Sequence, residues 1–258
     1  MRTHSPQGFR LLGAAGTVIS LLSGGTAAAQ PAVDTVIARV IAAQGGLGRL
    51  HTIRCRRMTG HIWYDSATSA TVIIEQRRPN MMYEEITNRA STVIRAFDGA
   101  AGWTKVLSNS DTILSVLSGD DLKNIAEESD FDGPLVDARL KGNTIEMVGT
   151  DSVHGSPAFK LRVTLRDGRV DYWYIDRSTW LPAKWEGSRT IDSSEVQFET
   201  YFRDYLTVDG LRFVRVMESG APGALARQQM TFDHVELNPA LEPRRFVMPD
   251  STSTGVAN

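Results

Sequence analysis

The stretch from residue 158 to residue 184 constrains the fold more than any other part of the sequence. Four apolar residues alternate there with polar ones, a period typical of a strand buried on one face: Phe159, Leu161, Val163 and Leu165. Asp167-Gly168 follows, a pair that favours a two-residue type I′ hairpin turn. Such a turn predicts one apolar face with these cross-strand pairs: Leu165 with Val170, Val163 with Tyr172 and Leu161 with Tyr174.

The same alternation, punctuated by short turn signals, recurs along most of the chain. Further strands are predicted at 58–64, 70–78, 81–87, 92–97, 103–107, 144–148, 182–189, 196–205, 211–218 and 230–237. About a dozen strands joined by short turns are typical of an antiparallel sandwich or a curved, partly closed barrel. No repeat of fixed period is present, which argues against a propeller or a solenoid.

Two regions depart from this strand pattern. Asp34 is a suitable cap for a helix that continues to Gly45-Gly46, and a short second helical piece is predicted at 47–53. Between 109 and 142, Ser118 or Asp120 can cap a further helix, and the break at 131–134 precedes another short one at 135–140. The sequence therefore predicts a mainly β chain with an amino-terminal helix and a helical insert.

Length and composition favour one large β domain over two small ones, because no linker interrupts the 258 residues. We expect this domain to occupy residues 30–250 and to be followed by a flexible tail at 251–258. Charged residues make up 22% and the formal net charge is -2, which gives no indication of a nucleic-acid partner.

The amino terminus has the pattern of a cleaved secretory signal. Arg2 and Arg10 precede an apolar stretch at 11–22, and small residues at 26–29 provide a cleavage site, so residues 1–29 are the predicted signal peptide. A membrane anchor is the alternative, but the stretch is short for a bilayer span. Cys55 is the only cysteine and cannot form an internal disulfide, which fits a bacterial periplasm.

No motif nominates a catalytic or metal centre. None of the mature chain's histidines has the spacing of a local metal pair, and only His51 and Cys55 lie four residues apart. The familiar hydrolase, nucleotide and metalloprotease motifs are absent from the sequence. Two acidic pairs, Glu84-Glu85 and Glu127-Glu128, are expected to be solvated. We therefore predict no cofactor and no enzyme, although a triad assembled in space stays open at this stage.

Apolar and aromatic residues at alternate strand positions provide a different kind of candidate site. They are Ile62, Tyr64, Val72, Ile74, Met81, Tyr83, Val93, Phe97, Trp103, Leu161, Val163, Tyr172, Tyr174, Phe198 and Phe202. A plain hydrophobic core is the simplest explanation for any one of them. Few helices are available to fill the inside of so large a curved sheet, however, so the sequence predicts an apolar cavity with the helices as plug or lid.

Several short motifs, in order, resemble those of a known family. They are Arg78-Pro79-Asn80, Phe97-Asp98-Gly99 with Trp103, Leu117-Ser118-Gly119-Asp120, the segment 130–135, and Tyr174-Ile175-Asp176 through Leu181-Pro182. Together they resemble the outer membrane lipoprotein-sorting family, relatives of the periplasmic lipoprotein carrier LolA, over residues 33–249. The resemblance implies an unclosed antiparallel β-barrel with helices across its mouth and a cavity for lipid acyl chains.

The resemblance also implies a gate. In that family an arginine of the R-P-N junction holds the lid through hydrogen bonds to the helices and is released when lipid enters, and Arg78 matches this position. A surface arginine before a turn is the alternative, and Arg77 next to it leaves the choice open. The long carboxy-terminal half, with YWYID and LPAKWE, resembles the broader family members, so the cargo is not fixed.

Three hypotheses follow, of which the first is preferred. It is a periplasmic carrier or chaperone, expected to be a monomer, for acyl chains of lipoproteins or other envelope lipids. Such a carrier implies an inner-membrane donor and an outer-membrane acceptor. The second is an envelope sensor or protein-interaction domain of the same fold. The third, a lipid-modifying enzyme, lacks a nominated nucleophile.

Overall fold

The computed structural model describes residues 31–191 and 194–250. The predicted signal peptide at 1–29 and the predicted tail at 251–258 lie outside the described residues. The predicted helical regions are confirmed with slightly different bounds: α1 (Val33–Gln44), α2 (Leu47–Leu50), α3 (Gly119–Glu128) and α4 (Ala138–Lys141).

The ends of α1 show one confirmed and one wrong prediction. Gly45 ends the helix in the left-handed region with φ of 119°, where a residue without Cβ is favoured. The N-cap, however, is Ala32, whose side chain provides no capping hydrogen bond. Asp34 lies inside the first turn instead, where its carboxylate is next to the positive end of the helix dipole.

Thirteen strands form a single sheet within the described residues. They are β1 (Cys55–Trp63), β2 (Ser69–Arg77), β3 (Met81–Thr87), β4 (Ser91–Phe97), β5 (Gly102–Ser108), β6 (Thr112–Leu117), β7 (Thr144–Val153), β8 (Ser156–Thr164), β9 (Val170–Asp176), β10 (Pro182–Ile191), β11 (Ser194–Val208), β12 (Leu211–Gly220) and β13 (Gln228–Leu237). Strand β6 was not predicted, because its exposed residues lie where the helical insert was expected to begin.

The sheet is antiparallel throughout and does not close on itself. Its order is β6-β5-β4-β3-β2-β1-β13-β12-β11-β10-β9-β8-β7, so β6 and β7 are the two edges. Six strands separate β4 from β10 in this order, yet both contact α3. The sheet therefore curves around α3, and the predicted unclosed antiparallel architecture with helices across it is confirmed.

The face of the sheet that contacts the helices is called the inner face, and it carries two apolar clusters. The first surrounds the Phe131 side chain and includes Ile53, Met58, Ile62, Val72, Ile74, Met82, Leu211, Phe213, Phe232 and Val235. The second packs against α1 and includes Val36, Val40, Leu135, Phe159, Leu161, Val163 and Ile175. Burial of these side chains is the main source of stability for the fold.

The chain after β13 covers part of the opposite, outer face. Phe246 is fully buried there in a cluster with Tyr83, Ala96 and Trp103. The Trp103 Nε1–H donates to the Phe246 carbonyl at 3.1 Å, and the Arg245 guanidinium lies 4.0 Å from the centre of the Tyr83 ring. These contacts fix the carboxy-terminal segment across β3 to β5, an arrangement that the sequence did not predict.

The hairpin at 158–184 forms, but its predicted register is wrong by one residue. The backbone N–H of Leu165 donates to the Arg169 carbonyl oxygen at 2.8 Å, and Gly168 adopts φ of 90°. This is a three-residue loop rather than a two-residue type I′ turn. Leu161 consequently lies opposite Trp173, and Tyr172 and Tyr174 face away from the helices.

A glycine in β1 provides a test of the sheet at the β1–β13 junction, where the register shifts. A Cβ at Gly60 would collide with the Thr231 carbonyl oxygen, whereas a Cβ at Gly48 in α2 would meet nothing within 4 Å. We expect Gly60→Ala to lower the free energy of unfolding by at least about 2 kcal/mol. Gly48→Ala should leave it unchanged or raise it by up to about 1 kcal/mol. Urea unfolding of both variants checks this, and equal stabilities would contradict the β1–β13 geometry.

Candidate functional site

The candidate site is the inner face beneath residues 118–141, which comprise α3, the following loop and α4 and are called the lid. Four buried side chains of the lid pack on the sheet. Phe131 belongs to the first apolar cluster and Leu135 to the second, and Ile125 and Val136 pack at the border of the clusters. A Cβ at Gly102 of β5 would lie 3.1 Å from Leu122, which shows how closely α3 approaches this wall. The lid thus covers apolar sheet surface directly.

Arg78 joins the lid to the end of α2 and to the segment that follows it. Its Nε–H donates to the Ile53 carbonyl at 2.6 Å and its Nη2–H to the Leu50 carbonyl at 3.0 Å. The same guanidinium binds both carboxylate oxygens of Asp132, one of them from Nη2 at 2.7 Å. A planar guanidinium suits such divided donation, so Arg78 makes the kind of contacts that the gate prediction requires. Its role as a gate stays a prediction.

Phe131 places an aromatic ring between two arginines. The centre of the ring lies 4.4 Å from the Arg78 guanidinium carbon and 4.6 Å from that of Arg56. Arg56 extends from β1 and donates from Nε to the Gln76 amide oxygen at 2.8 Å. Burial lowers the pKa of Arg56 to about 10, an effect that Asp132 opposes and Arg78 reinforces.

A small cavity adjoins these groups on the inner face. Its volume is about 60 Å³, and its lining includes Arg56, Phe131, Asp132, Leu211 and Phe213. A water molecule occupies about 30 Å³ in the liquid, so this space does not accommodate an acyl chain while the lid is in place. At this point the lid fills the space that the sequence analysis assigned to an apolar cavity with the helices as plug or lid.

Two adjacent carboxylates at the end of α3 hold the lid to both walls of the sheet. Glu128 accepts from Arg95 of β4 at 3.0 Å, and Glu127 accepts from Arg189 of β10 at 2.7 Å and pairs with Arg169. The expectation that Glu127-Glu128 is solvated is wrong, because curvature of the sheet brings arginines from distant strands to the same helix end.

Burial also perturbs the titration of this cluster. It raises the pKa of Glu127, although Arg189 and Arg169 act in the opposite direction. It likewise raises the pKa of Asp171 on β9, whose Oδ1 accepts no hydrogen bond from the described residues. Desolvation therefore outweighs charge pairing for both carboxylates.

The predicted cavity residues divide between the two faces of the sheet. The inner face carries Ile62, Val72, Ile74, Val93, Phe97, Leu161, Val163, Phe198 and Phe202. The outer face carries Met81, Tyr83, Trp103, Tyr172 and Tyr174, which belong to clusters that do not contact the helices. The division follows from strand parity, because neighbouring residues of a strand point to opposite faces and a register shift of one residue exchanges the faces.

Tyr64 belongs to neither group. It is 42% exposed and lines an open groove of about 550 Å³ between the β1–β2 and β12–β13 turns. Trp63, Ala226, Arg227 and Gln229 also line this groove, together with Asp65 and Ser66. It lies at the rim of the sheet rather than beneath the lid.

The described part of the chain contains no cluster of three or more His, Cys, Asp or Glu residues suited to a metal ion. Among the same residues no helix is long and apolar enough to cross a membrane. His51 and His61 each contact a carboxylate, Asp137 at 3.0 Å and Asp233 at 2.8 Å. Burial raises the pKa of Cys55, so its thiol is less ionised than an exposed one.

Comparison with known proteins identifies the fold but not a sequence family. No family model matches the sequence, and no curated protein does. A DUF1329 family protein from Desulfovibrio piger superposes with a TM-score of 0.57 at 11% identity, over 84% of this chain and 98% of that one. An outer membrane lipoprotein-sorting protein domain from Vibrio parahaemolyticus gives 0.54 at 10% identity, over 83% and 95%.

A LolA superfamily protein from Nitrosomonas europaea also matches, with a TM-score of 0.52 at 9% identity over 84% of this chain and 98% of that one. The chain has a LolA-like fold. This agrees with the family that the sequence motifs resemble. At such low identity the likeness shows the fold alone, and the roles of residues must be argued from this LolA-like chain itself.

Sequence reasoning missed several residues that the LolA-like fold brings to the lid. Gln76, Arg95, Phe131 and Asp132 were not nominated, and neither was Arg56. For Arg56 a signal existed, because it shares the parity of Met58 and Ile62 on β1 and must point to the same face. Asp132 carried no such signal, since it lies in a loop whose path depends on the packing of Phe131.

The raised pKa of Glu127 predicts a pH dependence of lid closure. When the lid opens, this carboxylate becomes hydrated and titrates nearer its ordinary value of 4.5. The closed state then binds more protons, so closure is favoured as the pH falls through the raised pKa and the effect levels off below 4.5. Hydrogen-exchange protection of α3 amides, corrected for intrinsic rates, should therefore rise as the pH is lowered toward 4.5. Burial also raises the pKa of Glu128 and of Asp130, so Glu127→Gln should reduce the pH dependence without abolishing it, and protection that decreases in acid would contradict the assignment.

Proposed function

We propose that this protein is a non-enzymatic carrier that binds acyl chains of lipoproteins or other lipids on the inner face of its sheet. The observation that supports it best is the composition of the contact between sheet and lid. Around Phe131 the inner face is apolar, with residues such as Ile62, Val72 and Phe232 nearly inaccessible to water. The connections between lid and sheet at Asp132, Glu127 and Glu128 are polar, with Arg78, Arg189 and Arg95 as their donors.

This division makes reversible exchange between lid and ligand feasible. The polar groups regain hydrogen bonds to water when the lid moves, which offsets part of the free energy of their separation. The apolar surface that the lid leaves would be costly to hydrate, but a hydrocarbon chain covers it at about 0.8 kcal/mol gained per buried methylene. The cavity beside Arg56 and Phe131, of about 60 Å³, is too small for an acyl chain while the lid is in place.

The setting of the carrier is part of the proposal. The predicted signal peptide at 1–29 would deliver the chain to the periplasm, where lipids must cross water between two membranes. A carrier there needs a donor at the inner membrane and an acceptor at the outer membrane. The LolA-like fold supports this setting, as one similar structure is an outer membrane lipoprotein-sorting protein domain.

Native mass spectrometry of protein purified from an envelope extract tests the proposal. We expect a population that carries a bound lipid or lipoprotein, released on addition of organic solvent. The purified protein should also bind an acyl-chain fluorophore. An empty protein that fails to bind the fluorophore would refute the carrier, and a bound peptide in place of lipid would favour the interaction-domain hypothesis instead.

The gate is tested by two neighbouring arginines. Arg78→Leu removes the donors to Ile53, Leu50 and Asp132, and charged hydrogen bonds contribute about 1.5–3 kcal/mol each. Hydrogen exchange across residues 118–141 should accelerate at least about tenfold, since about 1.4 kcal/mol corresponds to that factor.

Arg77→Leu is the matched control, because the Arg77 side chain is exposed and belongs to the outer face of β2. Its exchange in the lid should equal that of the wild type, and both variants should keep the circular dichroism of a folded sheet. If Arg78→Leu leaves lid exchange unchanged, the gate assignment is wrong even if the carrier proposal stands.

A further inference from the structure

We propose that Arg56, together with Arg78, forms a binding site for the anionic head group of an acyl-chain ligand, and that Asp132 of the lid occupies this site in the closed state. The head group is a phosphate or a carboxylate. This inference rests on the proposed carrier function and adds a chemical class to its ligand. It is carried by the surroundings of Arg56, which differ from those of the other arginines on the inner face.

The inner-face arginines of β4 and β10 have carboxylate partners within the sheet itself. Arg95 binds Glu84 of β3 at 2.8 Å, and Arg189 lies 3.9 Å from Asp171 of β9. Arg56 has no carboxylate partner among the described residues. Its hydrogen bonds go to the neutral amide of Gln76, and aromatic rings flank its guanidinium.

The closed lid supplies two carboxylates to this neighbourhood, both from the loop that follows α3 and both acting on the Arg56 guanidinium. Asp132 binds Arg78 directly and also interacts electrostatically with Arg56. Asp130 of the same loop is held by Lys141 at 2.6 Å, within the lid. When the lid moves, Asp132 leaves with it, and two guanidinium groups remain with no acid supplied by the wall.

An unpaired cation in an apolar setting is unfavourable by several kcal/mol unless an anion accompanies it. Burial lowers the pKa of Arg56 to about 10, in line with the few polar partners around its guanidinium. The chain keeps a charged residue where an apolar one would pack against Phe131 and Phe213. A ligand anion explains this, because it would bind both guanidinium groups once Asp132 has left.

The position of Arg56 also suits an amphiphile. Arg56 lines the cavity with Leu211 and Phe213, and Met58 and Ile62 follow on the same face of β1. A strand rises about 3.3 Å per residue, so residues 56 to 62 span about 20 Å. An anionic head at Arg56 would therefore direct its hydrocarbon chain along the apolar cluster rather than into solvent.

Isothermal titration of the wild type with four dodecyl compounds tests the site. The compounds are dodecyl phosphate, dodecanoate, dodecyl maltoside and dodecyltrimethylammonium, each below its micellar concentration. We expect at least one anion to bind about tenfold or more tightly than the maltoside, and the cation to bind most weakly. Stronger binding of the phosphate or of the carboxylate identifies the head group, and either result supports the site.

The remaining outcomes separate this inference from the carrier proposal. Equal binding of all four compounds would overturn the head-group site and leave an acyl-chain carrier. Failure of all four to bind would overturn both. Because this comparison uses only the wild type, it does not depend on the folding of any variant.

Variants then locate the site. Arg56→Gln should reduce the affinity for the preferred anion about tenfold and change the affinity for the maltoside less than about twofold. Arg56→Lys, which keeps the charge, should restore part of the preference. Arg162→Gln is the matched control, since Arg162 lies on the outer face and pairs with Glu146 at 2.8 Å. An unchanged anion preference in a folded Arg56→Gln protein would overturn the assignment.

Discussion

An open sheet with an apolar inner face must be covered by something other than itself, and the rest of this structure follows from that constraint. The edge strands β6 and β7 lie at opposite ends of the strand order and do not pair. The helices α1 and α3 and the loop around Phe131 therefore provide the missing side of the core. Because the cover comes from separate segments of chain, it is able to move without disrupting the backbone hydrogen bonds of the sheet.

The attachment of the cover is consistent with such movement. Three arginines hold the lid at two places along its length, Arg78 at the loop and Arg95 and Arg189 at the end of α3. Ion pairs of this kind fix orientation more than they add stability, since their partners hydrate readily when separated. If apolar packing alone held the lid, opening would require the free energy of exposing the apolar surfaces of both the lid and the sheet to water. The ion pairs thus fix the closed position of the lid, while the hydrocarbon chain of a ligand competes with the lid for the apolar surface of the sheet.

Local patterns predicted the elements well and their faces less well. Alternation and turn residues placed most strands within a few positions, as at β3 (Met81–Thr87), because period and punctuation are local properties. The prediction of a type I′ turn at Asp167-Gly168 failed because this pair is compatible both with such a turn and with a three-residue loop that has glycine in the left-handed region. One residue of loop length moved Tyr172 and Tyr174 to the other face. Loop length at this pair is decided by packing of the flanking strands, which no local pattern contains.

The candidate site follows the same division between local and distant information. Parity along β1 places Arg56 on the face of Met58, so its inward direction was available from the sequence. The absence of a carboxylate hydrogen-bonded to Arg56 among the described residues could not be predicted in the same way. Its possible partners lie on neighbouring strands and in a loop 76 positions away, at Asp132. An arginine on an apolar face is ordinary when a carboxylate of the sheet pairs with it. It is unusual when the only carboxylates near it belong to a movable segment. The distinction between a structural charge and a ligand-binding one therefore rests on which partner stays when the lid leaves, and at Arg56 the partner that stays is a neutral amide.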